Sequence, residues 1–195
     1  MTRFLSPALL VLALPLAGCI SFGAKPPKQL LTLSATAQIA PGTVQNSAHA
    51  RSVVVQVPVT PAALATVRIP VQATPTTLAY VKDAAWSEPP SRLFARLVAD
   101  TLTAQGVVVL SGVQSVDSPV GNLAGELRTF GFDASTREAV VTYEAALTRG
   151  GQTAVEKRRF EARVPVATID AASAGTALND AANRVAAEVA TWVGR

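Results

Sequence analysis

The chain has 195 residues, 49% hydrophobic, 5% aromatic and 15% charged, with a formal net charge of +4. Much of the apolar content is alanine and valine, so the composition predicts an aliphatic core with few large anchors and excludes a disordered chain. The basic residues are spread along the sequence rather than clustered, which argues against a nucleic-acid interface, and the single cysteine excludes a disulfide framework within one chain.

The first segment is a leader. Arg3 supplies a short positive start, and Phe4 to Leu16 is almost wholly apolar, broken only by Ser6, Pro7 and Pro15. This run of about 13 residues is too short for a spanning helix, which needs ~20, but it suits a signal-peptide core. It leads into Leu16-Ala17-Gly18-Cys19, which resembles the lipobox of bacterial lipoproteins at all four positions. The small Ala17 and Gly18 let a peptidase approach, and the Cys19 sulfur is the nucleophile that would take a diacylglyceryl group as a thioether. The expected organisation is a cleaved signal peptide over residues 1–18, with the cut between Gly18 and Cys19. A lipidated N-terminus and tether follow over 19–28, and a domain over 29–195. Acyl chains such as palmitate on Cys19 would anchor firmly, since each buried methylene contributes ~0.8 kcal/mol. Ile20, rather than aspartate, follows the cysteine, and by resemblance to the sorting rule of enteric bacteria this favours the periplasmic face of the outer membrane over the inner membrane. Lys25-Pro26-Pro27-Lys28 reads as tether.

Within the domain, Leu30, Leu31 and Leu33 suggest a first strand, and Pro41-Gly42 and Asn46-Ser47 mark a loop. Ser52 to Val57 is a β-branched run closed by Pro58. A further loop at Pro61 precedes strand segments at Val67–Ile69 and Thr76–Val81. Pro89-Pro90 bars helix before Ser91, the expected N-cap of a helix running to Gln105. Its Leu93, Phe94, Leu97, Val98, Thr101 and Leu102 recur at helical spacing. Gly106 closes it, and Val107 to Leu110 reads as a short strand.

Three longer strands come next. Asn122 to Phe132 alternates, with Ala124, Phe130 and Phe132 expected on one side and Leu123, Leu127 and Thr129 on the other. Ala139 to Arg149 returns, Gly150-Gly151 signals a tight hairpin, and Thr153 to Pro165 completes a meander. Its last strand alternates Lys157, Arg159, Glu161 and Arg163 against Arg158, Phe160, Ala162 and Val164. Asp170 to Val193 is an alanine-rich helix with the apolar stripe Leu178, Ala182, Val185, Val189 and Trp192, and with Asp180 and Arg184 on its exposed flank. The fold class is α+β, an antiparallel sheet with two main helices packed on it.

No catalytic chemistry emerges. His49 is the sole histidine, without a nucleophile-elbow motif near it. One histidine and one cysteine make no standard zinc site, and no phosphate-binding glycine loop is present, so neither metal nor cofactor is expected. Glu126, Glu144 and Glu161 fall on adjacent strands, where alternating solvated positions explain them better than paired catalytic carboxylates.

Several segments together resemble a family. Leu78-Ala79-Tyr80, then Ala84-Ala85-Trp86, Pro89-Pro90 and the amphipathic helix are followed by Leu123-Ala124-Gly125-Glu126-Leu127-Arg128-Thr129-Phe130. Arg158-Arg159-Phe160, Val164-Pro165-Val166 and the helix ending at Trp192 come after these in the same order. This pattern resembles the auxiliary lipoproteins of ABC-type lipid transport systems, the family that includes the paraquat-inducible operon lipoprotein and works with MCE-domain proteins. The resemblance implies a non-enzymatic component with an MCE-domain protein and an ABC permease and ATPase as partners, a phospholipid as cargo, and room for a homo-oligomer. Tyr80 and Trp86 match the family pattern as structural or partner anchors. The competing expectations are a structural outer-membrane lipoprotein that tethers envelope complexes, and an envelope hydrolase.

Overall fold

A computed structural model describes residues 29–48, 50–110 and 120–195. Its elements are β1 (Ser52–Val55), a 3-10 turn (Ala62–Leu64), β2 (Pro70–Thr74), β3 (Thr77–Tyr80), α1 (Pro90–Ala104), β4 (Val108–Val109), β5 (Gly121–Asp133), β6 (Glu138–Thr148), β7 (Val155–Pro165) and α2 (Ala171–Val193). All seven strands join one sheet.

The sheet is mixed, not antiparallel throughout. β5, β6 and β7 form the expected antiparallel meander, with Leu123 opposite Leu147 and Tyr143 opposite Phe160. The other edge of β5 is shared end to end by two strands that run parallel to it. Val53 to Val55 pair with Gly121 to Leu123, and Val71 and Gln72 pair with Phe132 and Asp133. Val59 bridges the gap, donating its amide to Gly125 O at 3.0 Å and accepting from Leu127 N at 2.9 Å. β4 adds in parallel outside β1, and β3 folds back antiparallel on β2. A β-branched run such as Val53-Val54-Val55 identifies a strand but not the direction of its partner.

β5 also departs from simple alternation. Its register shifts between Leu127, opposite Tyr143, and Thr129, opposite Thr142. The bulge places an extra residue there, so Leu123, Leu127, Phe130 and Phe132 share the helix-covered face although Leu127 and Phe130 are an odd number of positions apart. The split expected from strict alternation, with Phe130 opposed to Leu127, is corrected by that one insertion.

Both helices cover this face. α2 begins with a capping box in which Asp170 Oδ1 accepts from Ser173 N at 2.9 Å, and Asp170 N donates to Ser173 Oγ at 3.0 Å. Its Leu178, Ala182, Val185, Val189 and Trp192 are all buried, as their spacing predicts, and its small alanines allow close approach to the sheet. The N-cap of α1 lies two residues earlier than the expected Ser91. Pro89 holds the cap position and makes no side-chain cap bond, and Ser91 is buried inside the first turn. Proline at the first helical position costs no hydrogen bond, so Pro90 opens the helix. Gly106 ends it in the left-handed region at φ 82°.

The aromatic centre joins the layers. Phe94 of α1 meets Tyr143 edge-on at 5.2 Å and Phe130 at 6.5 Å, and Phe130 meets Trp86 at 5.5 Å.

The expected first strand at Leu30–Leu33 is instead a strap. Leu31 makes one parallel bridge with Trp86: its amide donates to Ala85 O at 2.8 Å, and its carbonyl accepts from Ser87 N at 2.8 Å. Beyond it the strap follows α2. Ser34 N donates to Asn179 Oδ1 at 2.9 Å, and Asn183 receives Thr36 N at 2.9 Å and Thr36 Oγ1 at 3.1 Å while donating to Ser34 O at 2.9 Å.

Candidate functional site

The residues singled out in the sequence fall in different places. Gly18, Cys19 and His49 lie outside the described residues. Trp86 is 1% exposed and serves as a core anchor, with no hydrogen-bond partner for its indole N–H among the described residues. Tyr80 is half-buried at the end of β3, where the Arg68 guanidinium stacks 3.6 Å from its ring centroid. Both residues therefore act in packing, on opposite sides of the Val81–Ala85 loop.

The three glutamates come together on the uncovered face of the sheet, and two of them, Glu144 and Glu161, are held in ion pairs. Glu126 and Glu144 oppose each other in register on β5 and β6. Glu144 pairs with Arg128 at 3.0 Å and with Arg159 at 3.8 Å. Glu161 pairs with Arg159 at 3.1 Å and Arg163 at 2.9 Å, and accepts from Thr142 Oγ1 at 3.0 Å. Arg163 reaches Glu138 at 3.2 Å. The result is a ladder of alternating charge across three strands. Burial raises the Glu161 pKa, but hydrogen bonds from Arg163, Arg159 and Thr142 outweigh it and hold the carboxyl below its ordinary value. A general acid needs the opposite shift. Among the described residues no group of three or more His, Cys, Asp or Glu is placed to hold a metal ion.

A different feature was not legible in the sequence. At the C-terminal end of α2, where β1 and β5 begin and β6 ends, lies a hollow of about 400 Å³. Arg51, Arg149 and Arg195 line it over a floor of buried Val53, Val107 and Leu147. Arg51 Nη1 donates to Val193 O at 3.4 Å, and Arg149 Nη1 donates to the same carbonyl at 3.3 Å. Arg149 also forks onto Glu156, with Nε at 2.7 Å and Nη2 at 3.3 Å, and this pair holds the Glu156 carboxyl below its ordinary value. Positions 51, 149 and 195 share no motif or periodicity; only the tertiary fold collects them.

No helix among the described residues is long and apolar enough to cross a membrane. The fold is similar to that of a protein from Xanthomonas campestris, with a TM-score of 0.67, 21% identity, and coverage of 84% of this chain and 94% of that one. A second, uncharacterized solved protein matches with a TM-score of 0.64 and 20% identity, covering 73% of this chain and 92% of its own. No curated protein matches the sequence. The family model of the ABC-type transport auxiliary lipoprotein component matches residues 31–190, from the strap through nearly all of α2, and the chain belongs to that family.

Proposed function

We propose that this protein is the membrane-anchored, non-enzymatic auxiliary lipoprotein of an ABC-type lipid transport system of the bacterial envelope, with an MCE-domain protein, a permease and an ATPase as its partners and phospholipid as the cargo. The observation that carries this reading is the family match over residues 31–190 in a chain that begins with Leu16-Ala17-Gly18-Cys19 behind an apolar leader. In this reading Cys19 bears the lipid, cleavage falls after Gly18, and Ile20 directs the anchor to the outer membrane, where the domain faces the periplasm. The ion-paired carboxylates of the outer sheet face support a docking rather than a catalytic role.

Full-length chain and its Cys19→Ser variant, expressed in a bacterium fed labelled palmitate, test the anchor. Label and membrane-fraction recovery are expected for the first and not the second. Affinity purification of the lipidated chain should recover an MCE-domain protein together with the ABC permease. Recovery of neither, from cells that express both, would sink the transport reading.

A further inference from the structure

The arginine-lined hollow at the end of α2 holds more hydrogen-bond donors than its neighbours use. Each guanidinium carries five N–H donors in a planar fork. Arg149 directs three atoms to Glu156 and the Val193 carbonyl, and Arg51 directs one to that same carbonyl. That carbonyl has two lone pairs and takes both donors, which leaves most of the Arg51 N–H groups without an acceptor among the described residues. Two cations therefore converge on one acceptor, and among the described residues only one carboxylate, Glu156, pairs with either of them. Arg195 adds a third positive side chain to the same wall. The α2 C-terminus contributes roughly half a negative charge, so Glu156 and the helix end together leave the rim net positive.

Beneath that rim the floor is apolar, formed by Val53, Val107 and Leu147. The volume, about 400 Å³, lies within the range of small-molecule sites. Planar forks over a low-polarity floor suit a tetrahedral oxyanion, since arginine meets phosphate oxygens two at a time and is weakly hydrated.

We propose that this hollow is a binding site for a phosphate group, with the open fork of Arg51 as its principal donor, the N–H groups of Arg149 left over by Glu156 beside it, and Arg195 as a third donor. The phosphate is either free or carried on a lipid headgroup whose first carbons rest on the valine and leucine floor. The site stands on this geometry and not on the transport reading: direct binding to the purified chain tests the one, partner capture tests the other, and each can fail alone.

Isothermal titration of the purified full-length chain, held in a neutral, phosphate-free detergent, with inorganic phosphate and with dihexanoyl phosphatidylglycerol provides the test. Saturable binding of at least one probe is expected, weakened about tenfold in Arg51→Ala. It should be unchanged in Arg184→Ala, which removes an equal charge from the far exposed flank of α2. Arg51→Lys keeps the charge without the fork and should bind at an intermediate level, and a thermal melt of each variant shows whether the fold survives. Tighter binding of the phospholipid assigns the site to a headgroup, and equal or tighter binding of inorganic phosphate assigns it to the free ion. No saturable binding of either probe below ~10 mM, or equal weakening in Arg184→Ala, overturns the proposal.

Discussion

Asn183 fixes the strap to α2, and replacing it by alanine isolates what that contact contributes. Its side chain is 7% exposed and makes three hydrogen bonds to the strap, two accepted from Thr36 and one donated to Ser34 O. At about 1 kcal/mol net for each bond, Asn183→Ala removes ~3 kcal/mol of attachment. Alanine is the better helix former by about 0.6 kcal/mol, which offsets part of that loss. The net cost should be ~2 kcal/mol. It should appear as local release and not as uniform weakening, because among the described residues the strap's one backbone bridge is that of Leu31 to Trp86. Amide hydrogen exchange read segment by segment is the assay, with urea denaturation beside it. The amides of Leu31, Ser34 and Thr36 should exchange on the order of 30-fold faster, while β6 keeps its protection. Asn179→Ala, which loses one exposed bond to Ser34 N, should stay within about 0.5 kcal/mol of the parent. Unchanged exchange at Thr36 in Asn183→Ala would refute the assignment of the strap to this side chain.

Three further outcomes follow from the packing and the charges. Phe130→Ala empties the site between Trp86 and Phe94 and should lower stability by ~3–5 kcal/mol in urea unfolding, since the ring is 0% exposed. Gly125→Ala should cost ~1–3 kcal/mol or more, because a Cβ there meets the Glu144 backbone oxygen at 2.2 Å and the Tyr143 ring at 2.7 Å; a variant as stable as the parent would contradict the β5–β6 register. Asp170 is held below its ordinary value of 3.8, first by the Ser173 amide and then by the Thr168 hydroxyl. A carboxyl depressed in the folded state stabilises above its unfolded pKa and loses that contribution as pH falls through the folded one. The urea midpoint of the parent should therefore drop below pH 3.8, and Asp170→Asn should flatten that part of the profile.

Local signals in the chain were legible, and tertiary ones were not. α2 was legible because Leu178, Ala182, Val185, Val189 and Trp192 repeat at helical spacing over about four turns, whereas the capping box at Asp170 emerged only in the structure. The β6–β7 pairing was legible for a similar reason: Phe160 and Ala162 alternate with Arg159, Glu161 and Arg163, and the first two are the buried ones. β1 was visible as a strand, but β2 was not: the strand expected at Val67–Ile69 lies ahead of it, and the pairing begins only at Pro70. The parallel attachment of both to β5 depends on a crossover through α1 that no short run encodes. The bulge at Arg128–Thr129 was hidden because period-2 alternation has no term for an inserted residue. The strap failed as a strand since Leu31 pairs once and then hands its hydrogen bonding to two asparagines of α2, about 145 residues away. The three arginines of the hollow were hidden for the same reason of distance along the chain.

The strap bears on how an anchored domain would be presented. If Cys19 carries the lipid, twelve peptide units separate it from Leu31, and their full extension is about 40 Å. The strap enters beside Gly175, since a Cβ on that glycine would lie 3.2 Å from Leu31 Cδ2. The arginine hollow lies at Val193, eighteen residues further along α2, which at 1.5 Å per residue is ~27 Å away. Leu31 and the hollow thus lie toward opposite ends of the same helix. With the strap in place, a domain so anchored would trail from the Gly175 end and lead with the arginines. Freed as far as Ser52, the same chain would gain twenty-one residues of reach, roughly 70 Å, and its point of suspension would move to β1, beside the hollow itself. On a chain lipidated at Cys19, the Asn183 contacts would therefore set both the length of the leash and which end of the domain faces outward.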